Sequence, residues 1–181
     1  MEEKDKEYFE NNEEQDLKKL IEFNEKAHIF EHIKESEIKH YSDATGYSAD
    51  RIFNIELKNR NQVLLTNGKI SGCTQGGKSY IDDDLFIEDH KAADLLMDYI
   101  AYGLEPLYIN FLNNCVLIFN LSKLSIRPKK HLNLKINSKG YRTMEFGNRQ
   151  GLYLKDAAIY DSNYNLIKRC GEEWEQTQKS S

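Results

Sequence analysis

The sequence predicts an α/β fold in which a central mixed β-sheet is flanked by helices and followed by a β-rich C-terminal extension. Three observations predict it. Apolar residues recur at helical spacing over 13–26 in a stretch without Gly or Pro. RIFNIELKNR, 51–60, alternates apolar and polar residues with a period of two. A second helical segment, 89–102, runs into two nearly continuous apolar stretches, PLYINF and NCVLIFNL. Elements in that order lay helices against the faces of one sheet.

In the first segment Leu17, Leu20, Ile21 and Phe23 form the apolar side of a helix with an acidic lead. HIFEHIK, 28–34, reads as a short strand with Ile29 and Ile33 on one face. IKHYSDAT, 38–45, a turn-like GYSAD around Gly46, and 51–60 then read as an antiparallel hairpin centred near Ala49. Residues 61–80 scatter Gly, Asn, Ser and Thr around a brief VLL and read as an irregular connection. DHKAADLLMDYIAYGLEP gives the second helix, burying Ala92, Leu95, Leu96, Tyr99 and Ile100 and ended by Gly103 and Pro106. The two apolar strands after it turn at 112–114, and their composition suits strands covered on both faces. Beyond Ser122, LNLKIN, YRTMEF and LYLKDAAIY read as short strands with turns at 138–140 and near Gly147. The polar end GEEWEQTQKSS reads as disordered apart from Trp174. The expected organisation is a core over 1–122, a basic β-rich extension packed on it over 123–170, and a tail over 171–181.

The chain has 181 residues, enough for one ordinary domain, and a net charge of −5. That charge argues against a histone-like basic protein. Its distribution says more: the first sixteen residues are mostly acidic, whereas 123–142 carries cations, Arg127, Lys129, Lys130 and Arg142 among them, and no carboxylate. Such a segment suits a nucleic-acid backbone, and it equally suits a solvated basic hairpin. Cys73, Cys115 and Cys170 are widely separated and in no CxxC arrangement, so neither a disulfide framework nor a zinc knuckle is indicated. With a charged N-terminus and no apolar run long enough to span a bilayer, the expectation is a soluble, cytoplasmic protein without a membrane partner.

GCTQGGKS, 72–79, fits the spelling of a phosphate-binding loop, with Gly72, Gly77, Lys78 and Ser79 in register. Such a loop works only between a buried strand and a helix whose first amides face the phosphate. Here TNGKIS precedes it and SYIDDDLF follows, and the three aspartates put negative charge where phosphates would sit. A nucleotide-binding loop therefore ranks last among the functional readings, below a flexible connection.

The hairpin carries a stronger constellation. Glu56 and Lys58 share one face of their strand, and the turn brings Asp43 on the opposite strand close to Glu56. Two converging carboxylates repel, and a divalent cation with oxygen ligands, Mg²⁺ or Mn²⁺, is the simplest compensation. Lys58 beside them stays protonated and acts electrostatically. Acidic-x-Lys triplets recur elsewhere in the chain, so the alternating strand and preceding aspartate single this one out; a half-buried hairpin with a wet polar face is the plain alternative.

With these residues in this order, the chain resembles the PD-(D/E)xK nuclease-like superfamily, of restriction endonuclease-like fold, over about 13–121. The family core runs helix, three strands, helix, strand (αβββαβ), with an aspartate on the second strand and (D/E)-x-K on the third. The resemblance implies that Asp43 and Glu56 are metal ligands, that the Leu57 carbonyl is a backbone ligand and that Lys58 is the catalytic lysine. Ser42 stands where the family has proline, and Asp50, six residues before Glu56, is the second choice for the aspartate. Lys91 resembles the extra basic residue that relatives present from the second helix, a solvated lysine being the alternative. Arg60 continues the polar face of the strand and suits either phosphate contact or the sheet rim. His28 and His32 have helical metal-pair spacing but no third ligand.

The reading is thus a metal-dependent nuclease cutting DNA, with RNA not excluded and a homodimer compatible with the resemblance. Its rival is a non-catalytic nucleic-acid-binding or assembly protein on the same fold.

Overall fold

The structure, a computed structural model, describes residues 3–36, 42–73, 77–82, 84–124, 127–136 and 142–172, with side chains described over 14–36, 42–73, 77–82, 84–124 and 149–172. Helix α1 spans Glu3–Ala27, longer at its start than the apolar spacing alone marks. Its end is set by Asn24, whose Oδ1 accepts from the Ile29 and Phe30 amides at 3.0 and 2.8 Å while its Nδ2 donates to the Phe30 carbonyl. His28 turns the chain with φ 50, so strand β1 (His32–Glu35) starts four residues after the predicted point. That left-handed turn also takes His28 out of any helical pairing with His32.

Strands β2 (Ala44–Ser48) and β3 (Arg51–Asn59) form the expected hairpin around Ala49 and Asp50. Gly46 lies within β2 and not in a turn: Phe30 packs so close that a Cβ there would stand 2.6 Å from its ring. Part of the strand expected over 38–45 falls on residues 37–41, outside the described residues.

The predicted irregular connection is a small sheet. β4 (Gln62–Leu64), β5 (Ile70–Cys73) and β6 (Ser79–Asp82) pair antiparallel in that order. Strands of three or four residues rich in Ser and Gly carry too few alternations to show in sequence. Gly72 pairs with Tyr80 and Cys73 with Ser79, so a strand stands where a phosphate loop needs a helix. β7 (Asp84–Glu88) then buries Leu85 and Ile87 and leads straight into α2 (Asp89–Tyr102). Gly103 ends α2 with φ 72, as predicted.

β8 (Glu105–Phe111) returns parallel to β3, and β9 (Cys115–Asn120) turns back antiparallel; both are buried over nearly their whole length. The chain order is helix, antiparallel meander, helix and parallel strand, the αβββαβ order expected from the sequence, with β4–β7 between the meander and the second helix. β10 (Arg127–Ile136) and β11 (Arg142–Tyr153) form a ribbon of ten residue pairs, roughly 33 Å long, that runs through Gly147 without a turn. The near end of β11 joins β7, with Arg149 opposite Glu88. After a 3₁₀ turn at Leu154–Asp156, β12 (Ala158–Asp161) and β13 (Leu166–Lys168) complete the main sheet, in the order β1-β2-β3-β8-β9-β12-β13. The turn splits the predicted strand LYLKDAAIY in two. Trp174 lies outside the described residues.

Each face of the main sheet has its own core. α1 covers one face, where Leu20 and Phe23 meet Ile55, Leu57, Ile109 and Phe111. On the other, Ala92 and Leu95 of α2 join Tyr108, Leu117 and Phe119. Tyr99 and Ile100 are 38% and 77% exposed, because α2 turns a more polar side to the sheet than its apolar spacing predicts. Among the described residues, no helix is long and apolar enough to cross a membrane.

Candidate metal centre on strand β3

Alternation on β3 divides the labour between its faces. Phe53, Ile55 and Leu57 enter the α1 core, while Asn54, Glu56 and Lys58 face α2. α2 meets them with polar groups of its own. Lys91 Nζ stands 2.9 Å from both Glu56 oxygens, and Asn54 Nδ2 donates to Asp98 Oδ2 at 2.7 Å. Lys91 and Asp98 lie two helical turns apart, hence on one stripe, and this match to the polar row of β3 sets the helix rotation.

Asp43 enters from the neighbouring strand. Its N–H donates to the Ile55 carbonyl at 2.9 Å, and its Oδ2 accepts from the Leu57 N–H at 2.6 Å. A residue's N–H and C=O point to the same edge of a strand, so the Leu57 carbonyl lies on the edge that Asp43 occupies. The chain entering β2 thus hands over from backbone pairing to a carboxylate beside Glu56.

Glu56 is 6% exposed. Burial pushes its carboxyl up to about 7, Asp43 pushes the same way, and Lys91 and Lys58 oppose them without prevailing. Burial alone would lower the Lys91 ammonium, yet Glu56 and Asp43 hold it above its ordinary value. Lys58 is half-buried, and among the described residues no hydrogen bond or ion pair engages its ammonium.

The predicted residues separate into two groups. Asp43, Glu56, Leu57, Lys58 and Lys91 are brought together. Asp50 sits on the hairpin turn, its side chain 79% exposed and paired with Arg51 at 3.5 Å. Arg60 is spent within the fold: it donates to Asn110 Oδ1, the Phe86 carbonyl and the Tyr108 hydroxyl at 2.6, 2.7 and 2.8 Å, and lies 4.8 Å from the Phe86 ring. Arg149 approaches the same ring at 3.8 Å, tying the ribbon to β7. Tyr108 donates onward to the Phe86 carbonyl, and burial raises its hydroxyl to about 12. Arg127, Lys129, Lys130 and Arg142 lie along the ribbon. Asn54 and Asp98 were not anticipated. Their signal was the two-residue step from Asn54 to Glu56 facing the two-turn step from Asp98 to Lys91.

Two carboxylates and one carbonyl fit Mg²⁺, a hard oxygen-seeking ion that keeps several waters. They do not fit an ion that needs a full protein cage. Among the described residues no group of three or more His, Cys, Asp and Glu side chains converges.

No family model and no curated protein matches the chain. Among solved structures it is similar to Hjc, a Holliday junction resolvase from the archaeal hyperthermophile Archaeoglobus fulgidus, at 13% identity and a TM-score of 0.41, over 85% of this chain and 84% of that chain.

Proposed function

We propose that the chain is a divalent-metal-dependent nuclease that hydrolyses phosphodiester bonds in DNA. One observation carries the reading: Glu56, buried beside Asp43, is flanked by Lys58 and Lys91 on the αβββαβ core. Burying a carboxylate next to a second one raises its energy, and a fold accepts that cost where the pair has work to do. Asp43, Glu56 and the Leu57 carbonyl would hold a divalent cation, which would acidify a water and neutralise charge on a phosphate oxygen.

The chain's own groups do the rest. The Leu57 N–H fixes the Asp43 carboxylate, so its second oxygen has a defined direction. Lys91, within 2.9 Å of both Glu56 oxygens, offsets part of the cost of ionising Glu56, whose carboxyl burial and Asp43 still push up to about 7. Lys58, on the same face and one side-chain step along, offers an ammonium to the attacked phosphate and stabilises the charge that grows on it. Strand β10 carries Arg127, Lys129 and Lys130 in its sequence, cations that suit a nucleic-acid backbone.

The test is cleavage of plasmid and branched DNA with Mg²⁺ or Mn²⁺. Glu56→Gln and Lys58→Ala are each expected to lower the rate about 100-fold or more while leaving the protein folded. Cleavage that persists in both variants would sink the mechanism.

A second reading, a non-catalytic nucleic-acid-binding protein, is favoured by the pairing of Lys91 with both Glu56 oxygens, which gives the carboxylate an internal counter-ion. DNA binding that survives both substitutions, without cleavage at any Mg²⁺ or Mn²⁺ concentration, selects it.

A further inference from the structure

Beside the carboxylate pair lies a cleft of about 650 Å³, between the β1–β2 hairpin and the C-terminal end of α2. Its sheet side is one cross-strand row: Lys34 pairs with Thr45, and Thr45 with Asn54. On β3 that row precedes Glu56 by two residues, roughly 7 Å, and Ser42, adjacent to Asp43, also lines the space. The cleft thus borders the candidate metal site, reaching the chain neighbour of Asp43 and the residue two before Glu56. Its volume falls within the range of pockets that enclose a small organic group.

Its chemistry separates candidate occupants. Asn54 is 4% exposed and donates to Asp98, which is only half-buried, so the bond that sets the rotation of α2 also holds a carboxylate in place at the cleft wall. Glu35 and Asp98 line it against one cation, Lys34, an arrangement that repels a phosphate. A carboxylate accepts from several donors, and the exocyclic amino groups of adenine, cytosine and guanine are such donors. Tyr47 and Tyr102 also line the space, and Tyr102 is 76% exposed, an aromatic surface for which the core has no use. Tyrosines beside fixed acceptors suit a planar base with an amino edge.

We infer that this cleft receives one unstacked nucleobase of the strand whose phosphate lies at Asp43 and Glu56, with preference for a base bearing an amino group. The inference rests on the nuclease reading for the position of that phosphate. A base inside a duplex cannot enter, so the preferred substrate is single-stranded or distorted next to the cut. Tyr102 supplies stacking, and Asp98, held by Asn54, reads the amino group.

The test measures binding of fluorescent single-stranded oligodeoxynucleotides of about eight nucleotides to the Glu56→Gln protein, which allows binding without turnover. Tyr102→Ala in that background is expected to weaken binding of an adenine- or cytosine-rich strand by about tenfold. Asp98→Asn is expected to remove the preference for those strands over oligothymidine. In the otherwise native protein, Tyr102→Ala should raise KM and leave kcat unchanged. Because Tyr102 is exposed, unfolding of its variant is not expected, and thermal unfolding checks this. Affinities unchanged by both substitutions, or no binding of any strand, would overturn the inference. Tyr102-dependent binding in a protein that cuts nothing would sustain the inference and remove the nuclease reading instead.

Discussion

At the residue scale the decisive group is Glu56. Its carboxyl titrates near 7 in the folded chain against an ordinary 4.5, so between those values the native state holds a proton that the unfolded state has lost. Its contribution to stability is therefore full below about 4.5 and declines as pH rises through about 7. Glu56→Gln removes that dependence, so the variant's melting temperature relative to the parent is expected to climb from pH 5 to pH 8. Cation binding runs the opposite way. Mg²⁺ needs the ionised carboxylate, and its affinity is expected to fall by about tenfold per pH unit below 7, measured by calorimetric titration. A flat profile in both measurements would mean that Glu56 titrates like a surface carboxylate. Glu56 and Lys58 were legible in the sequence because a strand's alternation assigns faces without any tertiary knowledge. Lys91 was reached only through the family resemblance and Asp98 not at all, because the rotation of α2 depends on which of its side chains finds a match across the sheet, and Lys91 and Asp98 outweighed the exposed Tyr99 and Ile100.

At the element scale, Gly46 shows how tightly the β1–β2–β3 meander is drawn against the end of α1. A methyl group there would stand 2.6 and 2.8 Å from the Phe30 ring and 3.1 Å from Ile55 Cδ1. Gly46→Ala is expected to lower stability by about 1–3 kcal/mol in urea unfolding, by forcing Phe30 out of its T-shaped contact with Phe53. An unchanged midpoint would mean that Phe30 shifts freely. The bounds of α2 and the paths of β8 and β9 could be read directly, since each is long and strongly patterned. β4, β5, β6 and β7 could not. They are three to five residues long; β4, β5 and β6 pair only with one another, and β7 finds its partner in the distant β11. The phosphate-loop spelling at 72–79 carries little for the same reason: eight letters specify a composition, and here Gly72, Cys73 and Ser79 belong to two paired strands.

At the scale of the whole molecule, the strands among the described residues form the main sheet, the ribbon with β7, and the small β4–β6 sheet. β11 belongs to the ribbon at its far end and pairs with β7 at its near end, so the cations of β10 are anchored one short strand away from the helix that carries Lys91. If the ribbon holds a nucleic-acid backbone, replacing Lys129 and Lys130 together by alanine should weaken binding about equally for all sequences. It should also reduce the slope of log affinity against log salt by about 1–2, measured by anisotropy on duplex DNA. A sequence-dependent loss would assign those lysines to base contact. Cleavage per bound complex should be unaffected, since the substitutions leave Asp43, Glu56 and Lys58 in place.

The borders of the seven-stranded sheet carry one more consequence. β1 is four residues long with Lys34 and Glu35 in it, and β13 is three, its Lys168 ammonium drawn inward to the carbonyls of Lys155, Ala157 and Arg169. A strand from another molecule finds little there to extend, because both margins are short and each carries charge. Aggregation of the folded protein by edge-to-edge pairing is thereby discouraged, even though the strands between those margins are among the most apolar in the chain.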